Sequence, residues 1–409
     1  MSICYMTIYV CVLIVNALGH QLHVNENGHF KIEQFTDLHY GDGNYDDETT
    51  QVMRTVLKVE RPDFIAFTGD MVAGYSYDHT PGWYKKYWKR FTSICTETQI
   101  YYGCSLGNHD SEADLSREEI MILDKTHYYS LSQLGPSEIT GSSNYYIPIY
   151  AYNNTKEIVF IIWFFDSMSS TCQGFEGYGC VEHSTIEWYK KESKRIEEEQ
   201  GHLIQGVAFF HIPTQEFMTA PQHWSTVGTQ YERVSCSPLN NGLISTFLSR
   251  GDIKGVFVGH DHNNCYQINY NGILLAYGRK TGIGCYGPSL GQKNGGRTID
   301  IIINDQHNST NNRGYSIHIE SWITNSDGER EHKSSFVNMI GYQDICNGAH
   351  VPYPHWIDIP VGNLLIIMTI FFYTLIIIII SSILYISKRH LCKKNKKASD
   401  LFIVTEHSE

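Results

Sequence analysis

The chain has 409 residues, 18% of them charged, and a formal charge of −12 at neutral pH, which allows one large domain or two small ones. Residues 388–409 carry +3, so residues 21–360 carry −15, and no nucleic-acid binding is expected of so acidic a domain. A phosphate-bearing ligand would have to be attracted locally, by bound cations, and not by the overall field.

Residues 1–19 hold no charged side chain, are apolar through residues 8–15 and end in Asn16-Ala17-Leu18-Gly19. That pattern predicts a secretory signal, although without a basic start. Residues 29–36 predict a strand that runs into Asp37-Leu38-His39. Residues 49–60 predict a helix, with Val52, Val56 and Val59 on one face. Residues 64–68 are apolar, lie between Pro62 and Gly69, and predict a buried strand that delivers Asp70. A basic, aromatic helix over 83–94 and a strand over 99–106 follow, and the strand leads into Gly107-Asn108-His109-Asp110. Further along, helices are predicted at 116–125, 185–200 and 241–250. Strands at 158–165, 206–210 and 255–258 end at Asp166, at His211-Ile212-Pro213 and at Gly259-His260-Asp261-His262. Strands at 273–277, 298–303 and 315–322 close an α/β (α+β) domain over residues 20–345.

Residues 346–363, with Pro352, Pro354 and Pro360, predict a stalk. Residues 364–386 are uncharged and apolar, and a helix of that length reaches about 34 Å, enough to span a bilayer. Lys388, Arg389, Lys393, Lys394, Lys396 and Lys397 follow at once, which places the tail at 387–409 in the cytoplasm. The expectation is a type I single-pass protein of the plasma membrane or an endolysosomal or secretory membrane. The lipid bilayer is then a partner, and the domain is extracellular or luminal. Cys392 in the tail is a candidate for palmitoylation. Eight cysteines fall between Cys95 and Cys346, which allows up to four disulfides. Cys172 and Cys180 flank a Gly-rich loop and form the expected pair, and the absence of C-x-x-C spacing argues against a zinc ribbon. Asn153 and Asn308 begin glycosylation sequons.

Five predicted strands thus end in Asp, Asn or His: Asp37-x-His39, Gly69-Asp70, Gly107-Asn108-His109-Asp110, His211 and Gly259-His260-x-His262. Sites form at the carboxyl ends of strands in open α/β sheets. Imidazole and carboxylate suit zinc, iron and manganese, and an asparagine carbonyl adds a neutral oxygen. A carboxylate such as Asp70 can bridge two ions, and glycines before Asp70, Asn108 and His260 allow close backbone approach.

In this order the segments resemble the calcineurin-like metallophosphoesterase superfamily, and residues 35–303 resemble its short purple-acid-phosphatase-like branch of plants and fungi. Leu115-Ser116-Arg117-Glu118, Phe210-His211-Ile212-Pro213 and Val256-Phe257-Val258-Gly259-His260-Asp261-His262 carry the closer match. The resemblance implies a four-layer fold, a two-sheet β-sandwich flanked by helices. It implies two divalent ions (Fe, Zn or Mn), one on Asp37, His39, Asp70 and His262 and the other on Asp70, Asn108, His211 and His260. His109 would bond the phosphate and help protonate the leaving oxygen, and Asp110 would orient His109. The implied activity is hydrolysis of phosphate esters by in-line attack of metal-bound hydroxide, as a phosphatase. The alternatives are a phosphodiesterase (acid-sphingomyelinase-like, or acting on nucleotide diesters) and a receptor-like protein that binds without turnover. Two departures stand out. Ala73 occupies the position of the purple enzymes' tyrosine ligand, and His39 the position of a glycine. A tyrosinate–iron(III) colour is therefore not expected. Arg117, Arg279 and Tyr286 are weaker candidates for a phosphate pocket, with packing or salt-bridge roles the commoner explanation.

Overall fold

The computed structural model describes residues 20–307, 313–332 and 335–341, with Gln343 and Cys346. The predicted signal at 1–19, the sequon at Asn308, the predicted stalk beyond Cys346, the predicted span at 364–386 and the predicted tail at 387–409 lie outside the described residues. Among the described residues no helix is long and apolar enough to cross a membrane.

The strands form two main sheets. One takes the spatial order Arg330–Glu331, Arg313–Asn325, Gly295–His307, His29–Phe35, Phe64–Thr68, Tyr101–Ser105. Its last three strands are parallel, with Ile32 opposite Phe64 and Phe64 opposite Tyr101. The other sheet centres on Ile158–Phe164, Gly206–Phe209, Ile253–Val258 and Ile273–Tyr277, which are also mutually parallel. Parallel neighbours need long crossovers. Helices Asp46–Glu60 and Trp83–Thr98 lie in those of the first sheet, and His183–Gln200 and Leu243–Arg250 in those of the second.

Side-chain alternation explains why the central strands read as unbroken apolar runs. In Ile158–Phe164, Phe160, Ile162 and Phe164 join a core with Phe30, Ile32 and Phe64 of the other sheet. Ile161 and Trp163 face the opposite way, into a second core with Tyr189 and Phe247 of the helices. A strand buried on both faces has no polar positions to spare. The first core also takes in Met53, Val56, Phe91 and Ile94 of helices Asp46–Glu60 and Trp83–Thr98.

Some elements differ from the sequence expectation. The first helix begins at Asp46, because Asp46, Asp47 and Glu48 fill its first turn, where carboxylates oppose the helix dipole favourably. Strands Thr226–Gln230 and Asn264–Tyr270 have no clear apolar run to announce them, and in Tyr145–Tyr150 Pro148 argues against a strand. Cys172–Cys180 is bonded as expected. The other disulfide among the described residues joins Cys236 to Cys346, at the predicted start of the stalk. Cys95, Cys104, Cys265 and Cys285 are free, so the described residues hold two disulfides of the four that the cysteine count allows. Asn153 lies exposed in the turn between Tyr145–Tyr150 and Ile158–Phe164.

Candidate metal centre

Three parallel strands from each sheet deliver the site. Asp37 and His39 follow His29–Phe35, Asp70 follows Phe64–Thr68, and Asn108 and His109 follow Tyr101–Ser105. From the second sheet, His211 follows Gly206–Phe209, His260 and His262 follow Ile253–Val258, and residues 280–286 follow Ile273–Tyr277. The chain leaves these strand ends abruptly. Asp37, His39, Asp70 and His260 have φ of 54°, 49°, 51° and 79°, in the left-handed region that side chains other than glycine rarely adopt. Such conformations persist only where the surroundings over-determine them, and they concentrate at functional sites.

Close approach at the centre depends on missing side chains. A Cβ on Gly107 would strike the Asp70 carboxylate, and one on Gly69 would strike the His211 ring. The backbone also aims the carboxylates. The His109 N–H donates to Asp70 Oδ1 at 2.8 Å, and the His260 N–H lies 3.2 Å from Asp37 Oδ1.

The seven residues predicted as metal ligands come together, all of them buried. Asp70, His211 and His260 form one group of potential ligands, and Asp37, His39 and Asp70 form another, so Asp70 is common to both. His211 Nε2 lies 3.1 Å from Asp70 Oδ2 and 3.1 Å from Asn108 Oδ1. His39 Nε2 lies 3.1 Å from His262 Nε2, which is 3.5 Å from Asp37 Oδ1. Two donors held about 2.1 Å from one ion sit about 3.0 Å apart at a right angle and about 3.4 Å apart in a tetrahedron. The spacing therefore fits two ions. His260 Nε2 is buried without a hydrogen-bond partner, an open donor in the same cage.

The surrounding layer sets the imidazoles. His211 Nδ1 lies 2.8 Å from the Thr68 carbonyl and His262 Nδ1 2.8 Å from the Tyr286 carbonyl. A ring that donates from Nδ1 turns Nε2 into the cage, where a cation would take the place of its proton. Tyr75, brought round by the turn Gly74–Ser76, places its hydroxyl 3.3 Å from His39 Nδ1. Burial lowers all four imidazoles. At His211 the Asp70 carboxylate outweighs burial and holds the ring at about 9. At His262 the Asp37 carboxylate, together with a hydrogen bond to Cys285, outweighs both burial and Lys280, holding it at about 10. His39, depressed by burial and by Lys280, stays well below its usual range, and His260 does so through burial and His211. Lys280 is itself buried, and its ammonium donates to the carbonyls of Asp37, Gly282 and Gly284.

Asp110 does not orient His109. Its carboxylate accepts from the N–H groups of Asp70, Val72 and Gly107 at 2.9, 3.1 and 2.8 Å, tying the Asp70 and Asn108 loops together. Those three donors turn it away from the ring. His109 Nδ1 pairs instead with Glu112 Oε2 at 2.7 Å, and the imidazole is 31% exposed, so Nε2 can meet a bound ester. Among the weaker candidates, Arg117 is structural. It pairs with the buried Asp166 and donates to the carbonyls of Leu106 and Gly107. Arg279 is committed to Glu331 and the Lys293 carbonyl. Tyr286 does reach the site, stacked on His262 with ring centroids 4.2 Å apart. Sequence reasoning passed over Glu112, Lys280, Cys285 and Tyr75 as parts of the site. Only Glu112, one turn past His109, left a local signal.

Fold and donor set together define a metallophosphoesterase. The chain belongs to the calcineurin-like phosphoesterase family, whose model matches residues 30–264. Probable inactive purple acid phosphatase 29 of Arabidopsis thaliana is 31% identical over 69% of this chain and 79% of that protein. Probable inactive purple acid phosphatase 28 of the same plant is 30% identical over 70% and 83%. Phosphatase DCR2 of Saccharomyces cerevisiae is 27% identical over 64% of this chain and 50% of that protein.

Proposed function

We propose that the chain is an active, membrane-anchored hydrolase of phosphate esters, a phosphatase in the first instance, with its domain outside the cytoplasm. The observation that carries the activity is the buried cage in which Asp70 is common to two donor groups. Asp37, His39, Asp70 and His262 would hold one divalent ion, and Asp70, Asn108, His211 and His260 the other. Such a pair activates water and neutralises phosphoryl charge. The chain itself fixes the donors through the backbone N–H groups of His109 and His260 and through the carbonyls that lock two of the imidazoles. Glu112 holds His109 by Nδ1, which leaves Nε2 to bond the ester and pass a proton to the departing oxygen. Disulfides at Cys172–Cys180 and Cys236–Cys346 support an oxidising compartment, and the apolar run at 364–386 supports the anchor.

A second reading, binding without turnover, is favoured by the names of the two plant relatives, which call those proteins probably inactive. The purified domain, supplied with zinc, manganese or iron(II) across pH, is to be offered a panel of phosphate mono- and diesters. Release of phosphate from monoesters, lost in Asp70→Asn, supports the phosphatase. Cleavage of diesters alone moves the assignment to a phosphodiesterase. Bound metal with no turnover of any ester supports the binding protein.

A further inference from the structure

The loop after Ile273–Tyr277 carries a group that the two-ion scheme leaves unused. The ligand atoms of His39, His262 and Cys285 all lie within 4.8 Å of one another. Cys285 is not in a disulfide, and it is part-exposed, whereas the other free thiols among the described residues are buried.

The loop holds this thiol in place from both sides. On one side, the Gly284 carbonyl accepts from Lys280 Nζ at 2.8 Å, and the same ammonium donates to the Asp37 carbonyl at 3.2 Å. On the other, the Tyr286 carbonyl accepts from His262. The Cys285 N–H donates to Asp42 Oδ2, which also accepts from the Tyr75 hydroxyl beside His39. Both chain neighbours of Cys285 are thus fastened to residues that hold the cage, and a side chain so placed is preorganised.

We propose that Cys285 Sγ is a further protein donor to the ion on Asp37, His39, Asp70 and His262. This rests on the two-ion reading. Coordination forms a metal–sulfur bond and releases the thiol proton to solvent. Sulfur binds zinc at about 2.3 Å and imidazole nitrogen at about 2.1 Å, so two such donors on one ion lie up to about 4.4 Å apart, close to the 4.8 Å within which the ligand atoms of the trio fall. A thiolate makes this half of the centre softer than the all-oxygen-and-nitrogen half, so it favours zinc over manganese there.

The test uses the full chain, stripped with chelator and titrated with cobalt(II), and it needs no turnover. The expected result is a thiolate-to-cobalt charge-transfer band in the near ultraviolet as cobalt is taken up. Cys285→Ser should lose that band and bind one of its ions about tenfold or more weakly, with unfolding of the stripped protein unchanged. Alkylation of Cys285, read by mass spectrometry, should be rapid in the stripped wild type and suppressed by zinc. If about two ions bind but no band develops and zinc does not protect Cys285, the sulfur donor is refuted and the two-ion reading stands. If no ion binds, the two-ion reading itself fails. Cys285→Ala separates the cases further, because a band that survives it comes from another thiol and overturns the proposal.

Discussion

Replacing Arg117 by Met separates a structural role from substrate binding. The guanidinium is 11% exposed and the Asp166 carboxylate 0%, with Nη2 to Oδ1 at 2.5 Å and Nε to Oδ2 at 3.2 Å. The same guanidinium donates to the Gly107 carbonyl at 2.7 Å and the Leu106 carbonyl at 3.1 Å, directly before Asn108. Methionine fills the space of the stem but leaves Asp166 buried and unpaired. Breaking such a pair costs about 3–5 kcal/mol, a large part of a domain's stability. Burial alone would raise the Asp166 carboxyl. The Arg117 charge, its hydrogen bonds and the N–H groups of Ser142 and Met168 outweigh burial and hold it below the usual range. A depressed folded-state pKa contributes stability that is present above the unfolded value near 3.9 and is lost as pH falls through the folded one. Urea unfolding should therefore show Arg117→Met less stable by about 3–5 kcal/mol at pH 7, with the gap narrowing below about pH 4. A double-mutant cycle with Asp166→Asn should give strong coupling. An unchanged unfolding midpoint together with a raised KM for an aryl phosphate would refute this and return Arg117 to the substrate pocket.

Other perturbations reach the centre by different routes. Gly107→Ala places a methyl on the Asp70 carboxylate, so elemental analysis should find bound ions largely lost while far-ultraviolet circular dichroism is retained. Glu112→Gln keeps every metal donor but weakens the hold on His109. It should lower kcat for alkyl phosphates about tenfold or more and for nitrophenyl phosphate much less, since only the poorer leaving group needs the proton. Asp110→Asn offers an amide to three backbone donors in place of a carboxylate, so thermal unfolding should report a loss of about 1–3 kcal/mol.

The donors were legible because each sits at the end of an apolar strand, and the strands themselves because burial on both faces leaves them without polar interruption. Strand ends and residue chemistry picked out the five clusters, and the family resemblance implied which of their members, Asp37, His39, Asp70, Asn108, His211, His260 and His262, are the ligands. Their supports did not share that property. Lys280 reads as an ordinary surface lysine until the fold closes three carbonyls around it. Tyr75 stands two residues beyond Ala73, which occupies the ligand position of the purple enzymes, yet a short turn brings its hydroxyl to His39 all the same. The resemblance implied that Asp110 orients the neighbouring histidine. In space its nearest donors are three backbone amides. Strand Tyr145–Tyr150 escaped notice because Pro148 argues against a strand from sequence alone.

The most direct test of the central claim is the ion content of the purified domain and of Asp70→Asn. The account predicts about two divalent ions per chain in the wild type and a marked loss in the variant, because Asp70 belongs to both donor groups. A wild-type domain that holds no ion after reconstitution, or a variant that keeps both, would contradict it.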